Sequence, residues 1–203
     1  MNSYDVHGVF SQPFSVENLT FDVNKIADFC YHLKNTTNVK VERSERGGNQ
    51  QIDVDIKSIK NIEFTKLLDE IHIGVNKVSS SIGIFPELDI SNLWINIHQY
   101  GNYIVPHYHI GSILSGTFYV KTPENCGNIN FKNPMGPLMK SYLHHWRFKE
   151  NESNDFPWLT SGAVFPCKEN MMLIFPSWME HSVDRNSNIN EDRISISFNT
   201  KRK

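Results

Sequence analysis

Cysteine is scarce in this chain. Cys30, Cys126 and Cys167 are the three in 203 residues, and none forms a CxxC pair. That pattern excludes a disulfide framework and a zinc knuckle. The thiols are expected to be reduced, as in a cytosolic protein. An excess of one charge is also missing. Lys and Arg number 20 against 22 Asp and Glu, for a net charge of -2. Neither nucleic acid nor an anionic membrane is therefore expected as the main partner. The basic Lys201-Arg202-Lys203 stretch reads as solvated. No apolar run is long enough to span a bilayer. Met1-Asn2-Ser3-Tyr4-Asp5 lacks the basic start and apolar run of a secretory signal, so a cytoplasmic location is expected. Internal repeats, low-complexity tracts and evident linkers are absent as well.

What is present is a globular composition, 39% hydrophobic and 21% charged. The length suits one domain across residues 1–203. Its first part, to about residue 90, reads as helical. From Val23 to Leu33, Val23, Ile26, Ala27, Cys30 and Leu33 recur at helical spacing, with Asp22 as N-cap. From Ile62 to Val78, Phe64, Leu67, Leu68, Ile71, Val75 and Val78 mark an amphipathic helix. His72 lies beside that stripe and reads as a surface or satisfied core histidine. The polar Arg43–Gln51 stretch carries Gly47-Gly48, a turn signal that suits either a plain connection or a lid.

From about residue 91 the texture changes to short strands. Leu93 to Tyr100, Tyr103 to Tyr108, Ser115 to Lys121, Gly127 to Phe131, Met171 to Phe175 and Arg193 to Thr200 are rich in β-branched and aromatic residues. The stretch from Leu138 to Pro166 reads as irregular. Helices followed by many short strands predict an α+β, mainly β domain, with helices buttressing one face of a sandwich or barrel. Trp146, Trp158 and Trp178 are expected in the core.

Two histidines stand out in this β-rich half. His107 and His109 are separated by Tyr108, so on a strand both rings enter one pocket while Tyr108 points away. Neutral imidazole offers a metal a lone pair near neutral pH. His181, in Phe175-Pro176-Ser177-Trp178-Met179-Glu180-His181-Ser182-Val183, would complete a triangle if the last strands return beside the first. Glu180 should face the other way. His98 shares a face with Asn96 and Tyr100 and is placed to line the same pocket. His144 and His145 are adjacent and suit a surface or loop; His7 and His32 have no companions.

Arg193, Ser195, Ser197 and Asn199 alternate with Ile194, Ile196 and Phe198. The alternation fits a half-buried strand with its polar face in water. It also fits an inward Arg193 and Ser195. A buried guanidinium needs an anion, and a carboxylate matches its planar fork.

Together these residues resemble the 2-oxoglutarate- and Fe(II)-dependent oxygenases, in particular small bacterial and phage members akin to prolyl hydroxylases. The resemblance is carried by Trp94, His107-Tyr108-His109, Ser115-Gly116-Thr117-Phe118-Tyr119-Val120, Phe175 through Val183, and Arg193 through Asn199, with Gly47-Gly48 as a further match. It covers about residue 92 onward. It implies a double-stranded β-helix, or cupin-like jelly roll, over about residues 91–203. It also implies an enzyme using Fe(II), O₂ and 2-oxoglutarate to hydroxylate a protein residue or metabolite, with release of succinate and CO₂. His107, His109 and His181 match the metal ligands. Arg193 matches the base that pairs with the far carboxylate of 2-oxoglutarate, and Ser195 completes an Arg-x-Ser pair. Tyr119 resembles a tyrosine bonded to that carboxylate, and Tyr100 one preceding the turn into the metal motif. Ser115 and Asn199 are expected to face the same pocket. The wider superfamily usually has Asp or Glu at the position of His109, whereas the small bacterial and phage members share HxH; three imidazoles also suit zinc, copper or nickel. The competing readings are a cupin-like three-histidine metalloprotein that does not use 2-oxoglutarate, and a non-enzymatic binding module.

Overall fold

The alternation in the last strand decides the architecture, because both of its faces are covered. The computed structural model describes residues 12–37, 40–42, 49–84, 87–143 and 162–203. The strands are β1 (Ser15–Asn18), β2 (Lys40–Glu42), β3 (Asn49–Asp53), β4 (Leu88–His98), β5 (Ile104–His107), β6 (Leu114–Lys121), β7 (Asn128–Lys132), β8 (Gly162–Pro166), β9 (Met171–Pro176), β10 (His181–Val183) and β11 (Arg193–Arg202). The helices are α1 (Val23–Thr36), α2 (Ile62–Ser81) and α3 (Gly136–Leu143). Seven strands form the larger sheet in the order β1-β9-β6-β11-β4-β3-β2, and four form the smaller in the order β5-β10-β7-β8. Every paired neighbour is antiparallel. This is the double-stranded β-helix implied by the sequence motifs, with supporting helices before it.

Side chains in a strand alternate between faces, and the larger sheet uses both. Ile95, Ile97, Phe118, Val120, Met172, Ile174, Ile194, Ile196 and Phe198 join one apolar cluster with Ile26, Cys30, Phe64, Leu67, Ile71 and Val75 of the helices. The opposite face carries Asn96, His98, Thr117, Arg193, Ser195 and Ser197, which line a cavity. Tyr119, Leu173 and Phe175 on that face pack with Ile129 and Phe131 of the smaller sheet. The polar face of β11 is thus turned inward, not to water.

Helix α1 begins where Asp22 accepts a hydrogen bond from the Lys25 amide at 3.4 Å. In α2 the cap is Asn61, whose side chain accepts from Phe64 N at 3.0 Å. Phe64, Leu67, Ile71 and Val75 of α2 are fully buried, each worth about 1.5–3 kcal/mol. Gly116 in β6 is where the sheet tolerates no side chain: a Cβ there would run into the Phe198 ring and lie 2.5 Å from the Leu173 carbonyl oxygen.

Several expectations need correction. β4 begins five residues before Leu93, because Leu88 and Ile90 continue the buried pattern beside β11. The stretch read as irregular takes in most of α3 at one end and β8 at the other; β8 escaped notice because it is largely exposed and lacks a buried alternation. β5 stops at His107, so His109 lies just beyond the strand. Trp178 is 53% exposed, on the turn after β9, and is not in the core. His7, Gly47-Gly48, His144, His145, Trp146 and Trp158 lie outside the described residues. Among the described residues, no helix is long and apolar enough to cross a membrane.

Candidate metal centre

β5 and β10 bring the histidines together. They pair antiparallel with His107 directly opposite His181. His109 follows β5 and is pinned by its backbone amide, which donates to the Ser177 carbonyl at 2.9 Å. Ring centroids of His107 and His181 are 4.3 Å apart, and those of His109 and His181 5.2 Å. One ring nitrogen from each of the three falls within 4.8 Å of the others.

The hydrogen bonds define which nitrogens face the centre. His107 Nδ1 contacts the Val105 carbonyl oxygen at 2.9 Å, and His181 Nδ1 contacts that of Met179 at 2.9 Å. A carbonyl only accepts, so each Nδ1 carries the proton and each Nε2 keeps its lone pair. Metal-binding histidines are oriented by this type of bond. Burial, then the His107 ring, pushes His181 down to about 3, against the Met179 bond. The ligand form is therefore present well below neutral pH. These residues fit a metal ion in donor type, tautomer and spacing.

Trp94 closes one side, its ring 5.6 Å from that of His109. Phe131 and Phe175 flank His181 at 5.7 and 4.9 Å. Glu180 turns away and pairs with Lys132 at 3.0 Å. Tyr108, expected to point away, is 56% exposed but still borders the cavity.

All three histidines open into a cavity of about 460 Å³ that also contains His98, Tyr119, Arg193, Ser195 and Asn199. Small-molecule sites commonly measure about 300–1,000 Å³. Arg193 is 2% exposed. Its Nη1 donates to the Cys126 carbonyl at 2.7 Å, and its Nη2 donates to His98 Nδ1. No carboxylate among the described residues forms an ion pair with it. A buried guanidinium without a carboxylate partner is costly until an anion arrives. Tyr119 is buried, and burial raises it well above the usual phenol range, so its hydroxyl remains a donor.

His98 is the histidine whose role the sequence left open. Burial, with the Arg193 charge adding, holds it well below the usual range. Since Nδ1 accepts from Arg193, Nε2 carries the proton. That Nε2 is the one buried side-chain nitrogen or oxygen without a hydrogen-bond partner among the described residues.

Two expected residues are placed elsewhere. Tyr100 is 62% exposed on the turn after β4 and does not line the cavity. Ser115 is buried under the end of the sheet, bonded to Ser177 Oγ at 2.8 Å and Asn199 Oδ1 at 2.7 Å, so it touches the cavity only through Asn199. His32 is exposed on α1, and His72 lies 3.7 Å from Asp89 at the surface.

Comparison with known proteins gives the family and the fold. A family model described as "Putative 2OG-Fe(II) oxygenase" matches residues 92–199. No functionally curated protein matches the chain. Among solved structures, it is similar to a Pseudomonas putida prolyl-4-hydroxylase, with TM-score 0.62, 11% identity, and coverage of 95% of this chain and 94% of that one. It is also similar to the viral collagen prolyl hydroxylase of Paramecium Bursaria Chlorella virus-1 in its 2OG complex, with TM-score 0.60, 10% identity, and coverage of 95% and 97%. The α-ketoglutarate-dependent epimerase SnoN of nogalamycin biosynthesis gives TM-score 0.67 at 12% identity, covering 94% and 79%. At these identities the likeness establishes the fold.

Proposed function

We propose that this chain, which belongs to the 2OG-Fe(II) oxygenase family, holds Fe(II) with His107, His109 and His181, anchors 2-oxoglutarate on Arg193, and hydroxylates a C–H bond of a protein residue or metabolite. The observation that carries the reading is a buried guanidinium without a carboxylate partner, in the same cavity as three convergent imidazoles. It favours a metal site with an acidic co-substrate over a three-histidine metalloprotein that uses none.

Bound Fe(II) supplies the activation of O₂, coupled to oxidation of 2-oxoglutarate to succinate and CO₂. The protein supplies orientation, charge and dryness. Arg193 presents a planar fork to the far carboxylate of the co-substrate. Ser195 and Tyr119 offer hydroxyls from the neighbouring positions of β11 and β6, which pair directly. Phe175 and Ile129 form apolar wall in the cavity and limit water near the histidines. His109 replaces the usual carboxylate, leaving the ligand set neutral. The site then carries one more positive charge toward a dianionic co-substrate, and its metal preference broadens.

The test is turnover. Fe(II)-loaded protein should form succinate from 2-oxoglutarate, detected by NMR, and Arg193→Ala should abolish 2-oxoglutarate binding while leaving metal binding intact. No succinate with or without substrate extracts, together with unchanged co-substrate affinity in Arg193→Ala, would sink the reading.

A further inference from the structure

Cys126 and Cys167 take no part in the chemistry above, yet the fold sets them side by side against Arg193. β7 and β8 pair with Asn128 opposite Pro166. Extended by one step, that register brings Cys126 and Cys167 into diagonal apposition. The side chains of Cys126, Cys167, Arg193 and Tyr119 lie near enough to perturb one another's ionisation, and the Cys126 thiol donates to the Gly127 carbonyl at 3.7 Å. Both cysteines line a second cavity, of about 590 Å³, which shares no lining residue with the first, together with Thr122, Asn125, Arg185 and Ser187. Cys167 is half-buried, whereas Cys30 is 0% exposed in the helix–sheet core.

The pair is chemically unequal. The neighbouring Cys126 thiol, with Arg193 and Tyr119, holds Cys167 down to about 7 against burial. The contact with Cys167 and burial raise Cys126. A thiolate is the reactive form and the Arg193 charge favours it in this pair, so Cys167, the more exposed of the two, suits the attacking role and Cys126 the resolving one.

We propose that Cys126 and Cys167 form a peroxide-oxidation site whose disulfide displaces Arg193 from its co-substrate-binding position; the second half rests on the reading of Arg193 above. The Cys167 thiolate attacks a peroxide oxygen, breaking the O–O bond to give a sulfenic acid and hydroxide. The Cys126 thiol then displaces the sulfenic oxygen. An S–S bond forms, the S–O bond breaks, and water leaves with the thiol proton. Two thiols lose two electrons and one peroxide is reduced to two waters.

Closure moves the peptide that holds Arg193. A disulfide needs its sulfurs about 2.05 Å apart, much nearer than two thiols in contact. The turn bearing Cys126 cannot slide as a unit. Ser187 N donates to the Asn125 carbonyl at 2.9 Å, and Asn188 Nδ2 donates to that of Glu124 at 3.0 Å. Asn125 and Gly127, on either side, have φ of 60° and 86°. At Gly127 a Cβ would lie 2.7 Å from the Asp184 carbonyl. The pull therefore falls on the Cys126 peptide, whose carbonyl accepts Arg193 Nη1.

The experiment exposes the full-length, chelator-treated protein to hydrogen peroxide. The expected mass is lower by two hydrogens, with a Cys126–Cys167 link in the non-reducing peptide map and Cys30 still alkylatable after unfolding. With Ni(II) added back, 2-oxoglutarate affinity should fall about tenfold or more, as expected for loss of one charge-assisted hydrogen bond, and recover with dithiothreitol. Cys126→Ser should stop at a dimedone-reactive sulfenic acid on Cys167, and Cys167→Ser should give neither product. Both thiols remaining alkylatable overturns the site. A link with unchanged 2-oxoglutarate affinity overturns its coupling to Arg193. If reduced protein binds no 2-oxoglutarate, the coupling falls with the proposed function, while the mass change still decides the oxidation site.

Discussion

His98 and Arg193 stand opposite each other in the β4–β11 register, and the guanidinium donates to His98 Nδ1. The pair is buried on both sides, at 1% and 2% exposure. A neutral histidine thus does what a carboxylate usually does beside a buried arginine: it fixes orientation without cancelling charge. No carboxylate among the described residues competes with an incoming anion for that charge.

Replacing His98 tests that arrangement. His98→Leu removes the acceptor and should destabilise the protein by about 1–3 kcal/mol, because a buried donor loses its partner. The apparent affinity for 2-oxoglutarate should weaken about tenfold while Fe(II) affinity is unchanged, since His98 is not among the convergent histidines. His98→Asn, whose Oδ1 can replace Nδ1, should recover most of the loss. Calorimetric titrations of co-substrate and metal separate the two effects; a parallel loss of metal binding would contradict them.

The triad predicts a graded metal response. His181→Ala removes the ring that faces His107 and should lower Fe(II) affinity by more than about 100-fold, beyond the effect of losing an outer-shell partner. His109→Asp should keep Fe(II) binding and weaken the preference for copper, because a carboxylate replaces an imidazole. Competition titrations with Fe(II), Zn(II) and Cu(II) read both variants. Wild-type Fe(II) affinity in His181→Ala would refute the centre.

Acid should destabilise the metal-free protein. Burial holds His98 well below its ordinary value and His181 at about 3, from 6.5. The unfolded chain binds these protons first, so stability is full above about pH 6.5 and declines as pH falls toward 3. Each histidine contributes a slope of up to about 1.4 kcal/mol per pH unit. Urea midpoints measured across that range should fall with pH, less steeply in His98→Asn. A midpoint independent of pH there would show that neither ring is held neutral by burial.

Gly116→Ala should be among the costly single-methyl additions in this fold. The new Cβ meets Phe198 and the Leu173 backbone, and backbone cannot rotate aside. Overpacking of this type costs about 1–3 kcal/mol or more. Thermal unfolding with an unchanged midpoint would mean that β6 and β9 shift apart freely.

Local pattern carried much of this protein. The 3.6-residue stripes of α1 and α2 and the two-residue alternation of β11 depend on near neighbours, so they are legible in the chain. So are the HxH spacing and the family motifs from Trp94 to Asn199. Which faces meet is a long-range matter. Tertiary structure alone put His181 opposite His107, turned the polar face of β11 inward, and let His109 converge from beyond its strand. It also left Tyr100 on an exposed turn, made His98 the acceptor for Arg193, and joined two cysteines 41 positions apart in sequence. Each of those outcomes depends on strand register across closed loops, and register is set by the summed packing of both sheets rather than by any short run of residues.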